Sequence, residues 1–265
     1  MSFFAAAIWS VSAIAALDFF LALVVVAAGQ ATGLDLVSRV LCEAAAFLTT
    51  LLLLTLVHER ERPLADVLGL RRTPIALWLL ALLFGLALQG PVNLIAGVIY
   101  RRYPLPQEQI DLINQLFDVK ALHLQVALVI AGGLLGPAVE ELLFRGGIFR
   151  GLRRRHGAVA TVLGISILFA LAHREPRNFL PDLLGGLAMG YVRAVSGSIW
   201  PALALHAAFN TASAILTIAA GPEADVFTSW QNVAGAVVSV GLLALFGRIA
   251  SGSEICGTAR EADTR

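Results

Sequence analysis

Two adjacent glutamates and an arginine lie inside otherwise apolar sequence, in the stretch Gly136-Pro-Ala-Val-Glu-Glu-Leu-Leu-Phe-Arg145. Each charge costs roughly 2.5–3.5 kcal/mol at the centre of a membrane-spanning helix unless it is paired or hydrated. Glu141 and Arg145 are four residues apart, so they share a helical face in the order that favours an ion pair. Glu140 points about 100° away from that face. The spacing therefore predicts that Glu141 and Arg145 neutralise each other, while Glu140 stays available as a base.

A plainer interpretation is also open for these charges. They would then begin the cytoplasmic end of a span, and the arginines at 150–155 would complete an ordinary interfacial group. Against it, Pro137 weakens the helical hydrogen-bond ladder just before the carboxylates, and three glycines precede them at 132, 133 and 136. Both features are typical of helices that line a polar cavity.

Two histidines in later apolar segments complete a set of groups able to do chemistry. His206 and Asn210 are four residues apart and share a helical face, and His173 ends another apolar run. With Glu140 they supply the groups needed to hold a water, deprotonate it and stabilise an oxyanion. Glu140, His173 and His206 are also candidate ligands for a divalent metal such as zinc. No HExxH or GxSxG motif offers a different site.

The depth of these residues tests whether they can meet. Counting at the α-helical rise from the predicted cytoplasmic ends, Glu140, His206 and Asn210 fall at similar levels. His173 falls deeper, and it joins the others only if its helix starts later or tilts.

The elements that must position these residues are membrane-spanning helices. The chain is 58% hydrophobic and only 14% charged, where an ordinary soluble domain carries about 25% charged residues. Its apolar blocks have the length that crosses a bilayer. We therefore predict an all-α, polytopic transmembrane bundle of about eight spans around a conical or central polar cavity. The predicted spans are 7–28, 36–57, 75–99, 122–149, 158–173, 180–195, 199–220 and 229–249.

The arginines predict the orientation of the bundle. One group (Arg60, Arg62, Arg71 and Arg72) follows the second span, and another (Arg150, Arg153, Arg154 and Arg155) follows the fourth. Two intervening spans put both groups on one side, and the positive-inside rule makes that side cytoplasmic together with both termini. The net charge of +1 gives no basic face for nucleic acid.

The chain divides into three predicted units. Residues 1–120 form N-terminal spans and a linker, whose 104–120 segment has the pattern of an amphipathic interfacial helix. Residues 121–220 form the catalytic core. Residues 221–265 form a last span and a polar tail, which we expect to be disordered after Ala250.

Three short motifs occur in a fixed order: EExxxR at Glu140, FxxxH at Phe169 and HxxxN at His206. In this order they resemble the CPBP family, which comprises the CAAX proteases and bacteriocin-processing (Abi) enzymes. GLAMG at 186–190 and GSIWP at 197–201 strengthen the resemblance, which covers about residues 125–215. Leu183 departs from it, because the family often has an aromatic residue there.

The resemblance implies an intramembrane endopeptidase. Glu140 and His173 would position and activate a water, His206 and Asn210 would stabilise the oxyanion, and Glu141, Arg145 and Phe169 would support the site. The family has also been interpreted as metal-dependent. Because these residues show no compact ligand spacing, we favour a glutamate-activated water without a tightly bound metal.

The resemblance also implies partners and a location. We expect a peptide or protein substrate at the membrane, of CAAX type or another membrane-associated kind, and a multi-pass protein in the plasma membrane of a bacterium. Two other functions stay open. One is a non-catalytic scaffold or bacteriocin self-immunity protein. The other is an ion or proton-coupled transporter, since intramembrane Glu and His also form relays.

Overall fold

The computed structural model describes residues 1–29, 34–117, 119–221 and 227–264, and within these ranges the chain is helical with no strand. The helices are α1 (Phe3–Ala28), α2 (Leu36–His58), α3 (Leu64–Leu68), α4 (Ile75–Ala87), α5 (Gln89–Arg102), α6 (Gln107–Phe117), α7 (Leu122–Ile130), α8 (Gly136–Glu141), α9 (Phe149–Arg153), α10 (Ala158–Ala172), α11 (Phe179–Ser196), α12 (Ile199–Ala220), α13 (Ser229–Gly252) and α14 (Glu254–Thr264).

Six continuous helices in the described ranges are long and apolar enough to cross a membrane: Phe3–Ala27, Leu36–His58, Ile75–Arg102, Leu122–Arg153, Ile199–Ala220 and Ser229–Gly252. Large apolar side chains on their outer faces are exposed, as the hydrocarbon of a bilayer requires. This confirms the helical membrane bundle.

The predicted count of eight spans is not confirmed. The fifth and sixth predicted spans are helices, α10 and α11, but α10 has only 15 residues and so extends about 22 Å against the roughly 30 Å of hydrocarbon. Helix α11 carries Asp182 and Arg193 and does not qualify by composition. Hydrophobic runs alone do not separate a spanning helix from a helix buried among others.

The span that carries the paired glutamates is not a regular α-helix. Two π-helical stretches, Ala131–Leu135 and Leu142–Ile148, flank α8 on both sides. Such π-bulges occur frequently at functional sites and change which side chains face a neighbouring helix. Depth counting at a uniform α-helical rise is therefore inaccurate for this span.

Close helix approaches hold the inner helices in place. A Cβ added to Gly85 of α4 would lie 2.2 Å from the backbone oxygen of Leu205, the residue before His206. A Cβ on Gly186 of α11 would lie 3.1 Å from Cα of Ser166 in α10. The GLAMG element is thus a helix-packing motif that brings α11 against the helix leading to His173.

The two predicted arginine groups lie at one end of the bundle. Arg154 Nη1 donates to Glu59 Oε1 at 2.9 Å, which joins the end of the 122–153 span to the end of α2. The amino group of Met1 donates to the Gly151 carbonyl at 2.6 Å, so the N-terminus lies at the same end. That this end faces the cytoplasm stays a prediction.

The prediction of a disordered C-terminal tail was wrong. Residues Glu254–Thr264 form a helix in which Cys256, Ala259 and Asp263 are buried. The physical reason is long-range pairing, because Asp263 accepts hydrogen bonds from Arg71 and Arg193. The polar composition of the tail does not indicate a docked helix, since the arginines that pair with Asp263 are far away in sequence.

The amphipathic segment before the fourth span is helical, as its pattern predicts. It forms α6 (Gln107–Phe117), and none of its residues is buried by the rest of the protein. Its apolar residues Ile110, Ile113, Leu116 and Phe117 are half-buried, and most of its polar residues are exposed.

Candidate active site

The predicted ion pair between Glu141 and Arg145 is present. Arg145 Nη1 lies 2.9 Å from Glu141 Oε1, and both side chains are fully buried. Arg145 Nη2 donates to the Gly186 carbonyl at 3.2 Å, and the guanidinium carbon lies 4.3 Å from the centre of the Phe169 ring. An ion pair without access to solvent needs such additional partners, and here helices α10 and α11 supply them.

Glu141 has a second partner that the spacing did not predict. His206 Nδ1 lies 3.0 Å from Glu141 Oε1, the oxygen that Arg145 also contacts. Because an ionised carboxylate only accepts hydrogen bonds, His206 donates from Nδ1. This fixes the imidazole orientation and leaves Nε2 facing Glu140, whose Oε2 lies 3.6 Å away.

His173 joins the same group from the end of α10. Its Nδ1 lies 2.9 Å from the Phe169 carbonyl. A carbonyl oxygen only accepts, so Nδ1 carries the proton and Nε2 is the acceptor in the neutral imidazole. The Phe169 ring centre lies 4.7 Å from the His173 ring and 5.9 Å from the His206 ring. The residue that depth counting placed apart is therefore beside the others.

The His173 ring lies between two cavities. A cavity of about 260 Å³ between α1, α2 and α8 is lined by Glu43, Glu140, Phe144 and His173 among others. A smaller one of about 90 Å³ is lined by His173, Asp182, His206 and Asn210 among others. All four predicted catalytic residues thus line these two spaces. Asn210 at present donates from Nδ2 to the Gly132 carbonyl at 3.4 Å.

Glu43 of α2 was missed by the sequence analysis. Its carboxyl group hydrogen-bonds to that of Glu140, which requires one of the two to be protonated. Glu140 Oε2 is buried and has no hydrogen-bond partner among the described residues. A signal was available, because Glu43 is a carboxylate within the apolar span 36–57 and intramembrane acids mark functional sites.

The candidate metal ligands Glu140, His173 and His206 come from α8, the end of α10 and α12. Within the described ranges, no three His, Cys, Asp or Glu side chains are grouped as ligands of one ion. The imidazoles of His173 and His206 are held at Nδ1 by the Phe169 carbonyl and by Glu141, an orientation that is also usual for histidines that bind a metal through Nε2.

Fold and site together define a multi-pass helical membrane protein with ionisable groups converging in its interior. Residues 122–212 match the family described as Type II CAAX prenyl endopeptidase Rce1-like. This match confirms the resemblance to the CAAX protease family over those residues, which include Glu140, His173, His206 and Asn210. The matching family is a family of proteases. No curated protein and no solved structure matches the chain.

Proposed function

We propose that the protein is an intramembrane endopeptidase that hydrolyses a peptide bond with a water activated by Glu140. The observation that carries the proposal is the buried, unpartnered Oε2 of Glu140, which faces the imidazole of His206 across 3.6 Å. An uncompensated buried carboxyl oxygen is costly, and such groups persist where a substrate or water uses them.

In the proposed reaction, Glu140 transfers a proton from the attacking water to the leaving nitrogen. A water lies between Glu140 and His173 Nε2, Glu140 takes its proton, and the water oxygen forms a bond to the scissile carbonyl carbon. The C–N bond then breaks, and the proton held by Glu140 passes to the leaving nitrogen. Glu43 hydrogen-bonds to Glu140 and takes part in holding that proton. General acid–base catalysis of this kind contributes about 10²–10⁴-fold to a rate.

The proposed oxyanion donors are His206 and Asn210. Glu141 holds His206 in one orientation through Nδ1, so an imidazolium at this position has its second N–H, at Nε2, free to donate. The Asn210 amide lies one helical turn further along α12 and lines the same cavity. To donate to an oxyanion, it exchanges its 3.4 Å contact with the Gly132 carbonyl for the substrate.

The proposed substrate is a membrane-associated peptide, of CAAX type or another kind, that enters the cavity of about 260 Å³ and places its scissile bond beside His173, which also lines the cavity of His206 and Asn210. Apolar residues of α1 and α2, including Leu17, Leu21 and Val40, line this cavity beside the carboxylates. An apolar wall next to hydrolytic groups suits a peptide that is held partly by the membrane.

Cleavage of a peptide library by the purified protein in proteoliposomes tests the proposal. We expect the wild type to cleave and Glu140→Gln to lose at least about 100-fold in rate, as removal of a general base requires. The matched control is Glu108→Gln on α6, because Glu108 is exposed and outside the bundle interior. Equal rates for wild type and Glu140→Gln would contradict the proposal and favour a non-catalytic scaffold.

A further inference from the structure

A chain of buried polar contacts joins the C-terminal helix to the candidate active site. Arg193 Nη1 and Nη2 donate to the two carboxylate oxygens of Asp263 at 2.6 and 2.9 Å. Arg193 Nε donates to the backbone carbonyl of Arg145 at 3.0 Å. From there the Arg145 side chain contacts Glu141, which contacts His206. We call these five residues the polar chain.

Arg193 is held firmly in the middle of the polar chain. Its side chain is fully buried, and its guanidinium carbon lies 4.6 Å from the centre of the Phe149 ring. A Cβ added to Gly69 would lie 2.6 Å from Arg193 Nη2, so the loop between α3 and α4 passes directly against the guanidinium. Gly69 also has a φ of +66°, which favours glycine at this close approach.

Asp263 is the carboxylate that compensates this buried charge. It also accepts from Arg71 Nη1 at 2.6 Å, and the carbonyls of Ala259 and Ala262 in the same helix accept from Arg71 and Arg150. Burial raises the pKa of Asp263, but the guanidinium groups of Arg193 and Arg71 outweigh it and hold that pKa below its ordinary value. The C-terminal helix thus supplies the counter-charge for Arg193 and Arg71 and a backbone acceptor for Arg150.

We propose that Asp263 and Arg193 are positioning residues of the active site, and that docking of α14 sets the placement of Arg145, Glu141 and His206. The inference rests on the proposed function. Arg193 is bidentate to Asp263 through Nη1 and Nη2 and donates from Nε to the Arg145 backbone carbonyl, within the π-helical stretch Leu142–Ile148. Loss of the Asp263 carboxylate therefore frees the Arg193 guanidinium, whose Nε holds the π-helical stretch at the Arg145 carbonyl. Arg145 then loses its fixed position, and so does its ion pair with Glu141, which orients His206.

The substrate cavities lie away from α14. Their lining residues in the described part of the chain come from other helices. Undocking of α14 should therefore act mainly on the chemical step, since of the residues that line the larger cavity only Phe144 belongs to the stretch Leu142–Ile148. If α14 served overall folding alone, its loss would reduce the amount of folded protein, and the folded molecules would keep the wild-type kcat and KM.

Steady-state kinetics on the full-length protein in proteoliposomes tests the inference, with the peptide identified in the library. We expect Asp263→Asn to lower kcat about 10- to 100-fold per folded molecule, as for a displaced catalytic group, with KM within about twofold of wild type. Thr258→Ala is the control on the same helix, because Thr258 is exposed and its hydroxyl donates to the Ile255 carbonyl within α14. That control should retain the wild-type kcat.

Arg193→Lys keeps the test decisive if Asp263→Asn folds poorly. A lysine retains a positive charge to pair with Asp263, so α14 stays docked, but it has no Nε donor for the Arg145 carbonyl. We expect the same selective fall in kcat. Wild-type kcat in both variants, or a rise in KM instead, overturns the inference while leaving the proposed function standing. A wild type no faster than Glu140→Gln overturns both.

Discussion

Glu141 and His206 contact each other at 3.0 Å through Oε1 and Nδ1, and the same oxygen is paired with Arg145. The Glu141 carboxylate therefore does more than neutralise the arginine on its own helix. It joins the 122–153 span to α12 and fixes which imidazole nitrogen faces Glu140. In this arrangement, one buried carboxylate determines both the stability and the orientation of the site.

Replacing Glu141 should destabilise the protein strongly. Glu141→Ala leaves the fully buried Arg145 without a counter-charge, and breaking a buried pair in this way costs about 3–5 kcal/mol. Chemical denaturation in mixed micelles measures the free energy of unfolding. Glu108→Ala, at an exposed position of α6, serves as the control and should stay within about 0.5 kcal/mol. A loss below about 1 kcal/mol for Glu141→Ala would show that another group compensates the arginine.

The close approach of α4 to α12 gives a second prediction. In Gly85→Ala the new methyl group would lie 2.2 Å from the Leu205 backbone oxygen, so the helices must move apart beside His206. Forced repacking of this kind typically costs about 1–3 kcal/mol. Gly241→Ala is the matched control, because a Cβ at that position of α13 meets no atom within 4 Å. Thermal unfolding should separate the two alanine variants, and equal melting temperatures would refute the tight packing.

Glu43 provides a third prediction, about activity. Glu43→Gln keeps a side chain able to hydrogen-bond to Glu140 but removes one of the two carboxyl groups that share a proton. If Glu43 takes part in proton transfer, kcat should fall by at least about 100-fold, the lower range for acid–base catalysis. The comparison is again with Glu108→Gln, measured on the same peptide. Unchanged kcat in Glu43→Gln would limit the proton-transfer role to Glu140 and the histidines.

Local spacing was sufficient to predict several features of the structure. The i, i+4 separation of Glu141 and Arg145 predicts their ion pair, because helix geometry alone places the two side chains on one face. The apolar blocks predict helices at all eight positions, although among the described residues six helices have the length and composition of a span. The amphipathic pattern of 104–120 predicts α6 in the same way.

The remaining features depend on contacts between distant segments. Glu43 meets Glu140, and Asp263 meets Arg71 and Arg193, across separations that no local pattern encodes. The π-helical stretches beside α8 shift the register of the 122–153 span, which counting at a uniform α-helical rise does not include. An apparently polar tail became a docked helix for the same reason, since its counter-charges come from elsewhere in the chain.

The docking of the C-terminal helix gives a final prediction, about pH. The pKa of Asp263 lies below its ordinary value of 3.8 in the folded protein, because Arg193 and Arg71 outweigh the effect of burial. A lowered folded-state pKa stabilises the protein fully above the unfolded value, and this contribution is lost as pH falls through the folded value. The melting temperature of wild type should therefore exceed that of Asp263→Asn at neutral pH. The difference should shrink only as the pH drops below about 4, where the unfolded carboxylate takes up its proton. Thermal unfolding of both variants across this range, in the same detergent, measures the difference. A difference that disappears already between pH 7 and 5, or that grows on acidification, would contradict the assigned pairing.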